Sequence, residues 1–84
     1  MSVYIIVSRS LTYAQRYARL FTRNGHTANV VRLPLHLSQT GCGYGVRIPE
    51  HSLRACLAML QQWGVTSPVI YKRNQDNQYE EFPL

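Results

Sequence analysis

TGCGYGVRIP, residues 40–49, decides the fold. Its second half, YGVRI (44–48), reads as a strand that ends at Pro49. The segment before it, PLHLSQTGC (34–42), reads as a loop, and TANVVRL (27–33) ahead of that loop reads as another strand stopped by Pro34. Two strands therefore follow one another with no helix between them. The glycines pose a second question, because Gly41, Gly43 and Gly45 crowd around Cys42. Ordered glycine costs conformational entropy, so either the chain must bend there or another group must come close.

Working outward, VYIIVS (3–8) is a β-branched and aromatic run, apolar on both faces, as a central strand requires. SLTYAQRYARLFTRNG (10–25) reads as a helix with Ser10 as N-cap, Leu11, Ala14, Ala18 and Phe21 as its apolar stripe, and Gly25 as its stop. Arg16, Arg19 and Arg23 fall on its solvent side. A second helix begins at Pro49-Glu50, carries Leu53, Cys56, Leu57 and Leu60 inward, and ends at Gly64. PVIYKR (68–73) is a fourth strand. The order β-α-β-β-α-β predicts an α+β, ferredoxin-like sandwich: a four-stranded antiparallel sheet with two helices on one face. Residues 1–73 form one domain in this reading, and the polar, acidic stretch 74–84 reads as a disordered tail.

The right-handed crossover rule turns this order into positions. The end of the first strand, the N-terminus of the first helix and the loop closed by Cys42 share one end of the domain. Cys42 is thereby expected near Ser8, Arg9 and Ser10, with the turn at Trp63–Ser67 beside them. Of the histidines, His36 belongs at this end, and His26 and His51 at the other.

Charge narrows the partners. The net charge of +5 conceals a body, residues 1–73, in which nine basic residues face Glu50 alone, a charge of +8. Such a body favours an anionic partner. No apolar run reaches the ~20 residues of a membrane span, and two cysteines make no disulfide framework, which points to a reducing cytoplasm. Two cysteines and three scattered histidines make no zinc pattern either, and no cofactor motif is present.

Cys42 lies between glycines, near a helix N-terminus and arginines, which is a setting that lowers a thiol's pKa and exposes its sulfur. Backbone N–H groups turned inward by left-handed glycines also form nests that hold anions, a thiolate or persulfide among them. Composition alone leaves an alternative equally open, a tight hairpin corner in which the cysteine is incidental. Cys56, mid-helix on the apolar stripe, reads as a buried and inert thiol. A Cys42–Cys56 disulfide is not expected between a loop tip and a mid-helix position.

The stretch RLPLHLSQTGCGYGVRIPEHSLRACLAMLQQWGV resembles the selenium/sulfur carrier protein-like family of small bacterial proteins. The likeness covers about residues 3–73, with Pro34, Ser38, Cys42 and Gly43 at the matching places of a loop ending in Ser-x-x-x-Cys-Gly. It implies a carrier without turnover of its own, which accepts a persulfide or selenopersulfide on Cys42. A cysteine desulfurase-like donor and an acceptor enzyme would be its partners. Gly41 and Gly43 would then shape the sulfur's nest, with Arg9, Ser10 and His36 around it.

Two other readings compete. Gly43-Tyr44-Gly45 partly matches the third-strand motif of RNA-recognition modules, with Tyr44 and Tyr4 as stacking rings. A regulatory or structural subunit would instead form a homodimer through an open sheet face carrying Tyr4, Ile6 and Tyr71.

Overall fold

In a computed structural model of the chain, residues 3–34, 43–74, 76 and 78–82 are described. The elements run β1 (Val3–Val7), α1 (Leu11–Arg23), β2 (Asn29–Arg32), β3 (Tyr44–Pro49), a 3-10 turn (Glu50–Ser52), α2 (Leu53–Gln62), β4 (Ile70–Arg73) and β5 (Tyr79–Glu81). The class is α+β, as the sequence predicts. The sheet has five strands rather than four, in the order β2-β3-β1-β4-β5, and every neighbouring pair is antiparallel.

The fifth strand lies in the stretch expected to be a disordered tail. Asn74 makes the turn that leads to it: its Oδ1 accepts from the backbone N–H groups of Asp76 at 3.0 Å and Gln78 at 3.1 Å. Lys72 then stands opposite Glu80, so the acidic segment pairs with a basic strand, a favourable cross-strand arrangement. Phe82 anchors the end. Its N–H donates to the Ile70 carbonyl at 2.7 Å, and its ring meets Tyr4 edge-on at 5.1 Å between centroids.

Strand alternation assigns the two faces of the sheet. Tyr4, Ile6, Val46, Ile48 and Ile70 share one face, where Ala14, Tyr17 and Phe21 of α1 and Leu53, Cys56 and Leu60 of α2 complete the core. The α1 stripe is thus Ala14, Tyr17 and Phe21. Leu11, expected inside, is 40% exposed because it lies at the first helical position, beyond the edge of the core. Both helices end as expected. Gly25 and Gly64 take φ of +85°, and backbone bonds from His26 to Phe21 and from Val65 to Leu60 close the last turns.

On the opposite face Ile5 lies between Arg47 and Tyr71 in register and is only 2% exposed. Gly45 is explained there. A Cβ at that position would come within 2.8 Å of both Ile5 Cγ2 and the Ile6 carbonyl oxygen. The glycine is a close-approach site inside a strand.

Candidate functional site

The corner where β1 ends, α1 begins and β3 starts is built around a buried serine. Ser8 is 4% exposed. Its N–H donates to the Tyr44 carbonyl at 3.1 Å, and its Oγ lies 3.0 Å from the same carbonyl oxygen and 2.9 Å from that of Ser10. One buried hydroxyl thus links β3 to the helix entrance. On the other side Leu33 N–H donates to the Gly43 carbonyl at 2.6 Å, which continues the β2–β3 ladder past both strand ends. The two residues that follow Cys42 in the chain are therefore fixed, one by each neighbouring strand.

Ser10 caps α1: its Oγ accepts from Tyr13 N–H at 3.2 Å, with the backbone extended at φ −159°. The first turn carries no acidic residue, so no carboxylate there offsets the positive end of the helix dipole. Arg9, between the two serines, is exposed. Arg9, Ser10 and Gly43 share this end as expected, whereas Gly41, His36 and Cys42 lie outside the described residues. Gly43 departs from the left-handed glycine expected of a nest, since the positive-φ glycines among the described residues are Gly25 and Gly64. Open space surrounds the place where a Gly43 Cβ would stand.

His26 and His51 sit at the opposite end, where His26 Nδ1 is 2.9 Å from the Oγ of buried Ser52. Cys56 is fully buried, and loss of hydration pushes its thiol pKa up to about 11. Such a thiol is protonated and unreactive at neutral pH. Among the described residues no group of three or more His, Cys, Asp or Glu could hold a metal ion, and no helix is long and apolar enough to cross a membrane.

The stacking surface required by an RNA-recognition reading is absent where it was expected. Tyr4 is 4% exposed and belongs to the core, and Tyr44 packs against that core from the same face. Alternation is the cause: Tyr4 faces the helices with Ile6, and Tyr44 does so with Val46 and Ile48. The same argument removes Tyr4 and Ile6 from the open face proposed for a dimer and leaves Tyr71 there.

The sequence reading missed a groove beside this corner. It has a volume of about 560 Å³ and runs between the β1–α1 junction and the α2–β4 link, with Arg9, Tyr13, Tyr17 and Trp63 among its lining residues. The available signal was the i, i+4 spacing of Tyr13 and Tyr17 together with Trp63 at the helix end.

The sequence pattern of the family described as "Putative Se/S carrier protein-like" matches residues 3–72. No curated protein and no solved structure matches the chain.

Proposed function

The chain belongs to the Se/S carrier protein-like family, and from that premise we propose that it carries sulfur or selenium on Cys42, as a persulfide or selenopersulfide. The family match is the observation that carries this reading, because residues 3–72 span the Cys42-Gly43 pair and every strand and helix that frames the corner. Two further observations support it. Cys56 is too deeply buried to do the chemistry, and the chain immediately after Cys42 is held beside a helix N-terminus whose first turn carries no acidic residue.

In the proposed exchange the Cys42 thiolate attacks the terminal sulfur of a donor persulfide. A new S–S bond forms on Cys42, the donor's S–S bond breaks, and the donor leaves as a thiolate with the bonding pair. Hand-off repeats the step with an acceptor thiolate attacking and Cys42 leaving, so neither direction needs an outside oxidant or reductant. Arg9 and the N-terminus of α1 supply positive potential for the thiolate and the bound persulfide, while Gly43, with open space where a Cβ would stand, leaves a partner's sulfur room to approach; Gly41 is assigned the same role. In this reading His36 is the candidate proton acceptor for the Cys42 thiol. The donor is a cysteine desulfurase-like protein, the acceptor an enzyme that consumes the sulfur or selenium, and the setting a reducing cytoplasm. The first four strands keep the order of a ferredoxin-like sandwich, and β5 is an addition at its edge.

The test is hand-off. Protein loaded by a desulfurase and cysteine, then separated from both, should release its sulfur to added glutathione once per chain and without turnover. Cys42→Ser should neither load nor release, while Cys56→Ala should do both. Loading by Cys42→Ser at the wild-type level would overturn the proposal.

A further inference from the structure

The groove beside the corner carries a row of aromatic rings that sulfur carriage does not use, and it shares Arg9 with the corner. Three rings follow one another along it. Tyr13 and Tyr17 stand 6.2 Å apart, Tyr17 and Trp63 also 6.2 Å apart, and both pairs are tilted rather than stacked. Trp63 is 50% exposed and Tyr13 38%, so two of the three rings are open to a ligand in part, the Tyr13 ring with the Arg16 guanidinium over it at 5.8 Å. Among the described residues Arg9 is the one charged residue in the lining and no carboxylate lines it, while the hydroxyls of Thr66 and Ser67 add to its polar side. The Arg9 charge also reaches the rings: the Tyr17 phenol is shifted up by burial, with Arg9 opposing that shift. A volume of about 560 Å³ falls in the range of small-molecule sites, which combine apolar walls with a few placed polar groups.

We propose that this groove binds a planar aromatic ring joined to an anionic group, the chemistry of a mononucleotide, with the ring against Trp63 and Tyr13 and the anion on Arg9. Aromatic side chains recognise any base through its flat face. A guanidinium supplies the bidentate contact that a phosphate prefers. The inference stands on the groove alone and does not depend on what Cys42 carries.

Trp63 is the single tryptophan of the chain, so its fluorescence reports on the groove without a label. The full-length protein is titrated with 5′-AMP, adenosine and inorganic phosphate, and calorimetry provides the second readout. AMP should quench Trp63 saturably, and adenosine and phosphate should each bind more weakly by about ten-fold or more. By calorimetry, Arg9→Gln should weaken AMP by about ten-fold while leaving adenosine unchanged, and Trp63→Leu should weaken both. Arg9 is exposed and Trp63 half-exposed against Tyr17, so both variants should keep the fold, Trp63→Leu with a lower Tm, and circular dichroism checks this before binding is compared. An adenine trinucleotide separates the sources of this chemistry: a gain over AMP assigns the groove to nucleic-acid ends, and no gain assigns it to free nucleotides. No saturable AMP binding at millimolar concentration would overturn the proposal. So would phosphate binding as tightly as AMP, or variants that bind AMP as wild type does.

Discussion

Replacing Gly45 with alanine should destabilise the protein, whereas the same change two residues earlier, at Gly43, should not. A Cβ on Gly45 would lie 2.8 Å from Ile5 Cγ2 and 2.8 Å from the Ile6 carbonyl oxygen, well inside the 3.4–4 Å of ordinary contact. Neither neighbour can yield cheaply. Ile6 O belongs to the backbone of β1, which is paired on both sides, and Ile5 is a branched side chain only 2% exposed. Overpacking of this kind costs about 1–3 kcal/mol. At Gly43 an added Cβ meets nothing within 4 Å. There the lost freedom of the unfolded chain should stabilise the protein by up to about 0.4–1 kcal/mol. That unfolded-state contribution is common to both variants, so their difference isolates the contact at Gly45. For a chain of this size about 1 kcal/mol moves Tm by roughly 4–8 °C, and thermal melts followed by circular dichroism, with urea midpoints as a second measure, will resolve the pair. A Gly45→Ala protein as stable as Gly43→Ala would refute the close-approach explanation.

Other outcomes follow from the same structure. Cys56 has its pKa raised from 9.0 to about 11 by burial, so the folded state holds its proton more tightly than the unfolded state. That stability is fully present below pH ~9 and is lost as pH rises toward ~11, by on the order of 2–3 kcal/mol. Urea titrations across that range should show the fall, and Cys56→Ala should reduce it; Tyr17, also shifted up by burial, contributes with the same sign in both proteins. Phe82→Ala removes the edge-on contact with Tyr4 and the anchor of β5, and should cost about 1–3 kcal/mol by urea unfolding. Hydrogen exchange should then quicken in β5 and along β4.

The first four strands and both helices were legible because their signals are local and agree with one another. VYIIV is apolar on both faces, as a central strand must be, and Gly25 and Gly64 end their helices in the left-handed conformation that glycine permits. β5 was not legible. Its three residues, Tyr79–Glu81, are mostly charged, and their strand character comes from pairing with Lys72 and Arg73 and from Phe82 packing on Tyr4, both contacts made only after folding. The Asn74 turn was the readable clue, since an Asn two residues ahead of Asp76 can fold its side chain onto the backbone.

Tyr17 was missed because either of two adjacent positions, 17 or 18, continues the helical stripe from Ala14, and a tyrosine is the less obvious choice for a core. At the site, topology brought Ser8, Arg9, Ser10 and Gly43 to one end as expected. The reason for Gly45 was hidden, because it depends on where Ile5 lies across the sheet. The groove was hidden as well, because Trp63 meets Tyr17 only when α1 and α2 are side by side.

The most direct measurement of the central claim is the mass and position of the sulfur that the protein accepts. After incubation with a cysteine desulfurase and cysteine, the intact protein should gain about 32 Da, one sulfur atom, in a form that dithiothreitol removes. Peptide mapping should place that gain on Cys42. An unchanged mass, or a gain carried by Cys56, would contradict the account.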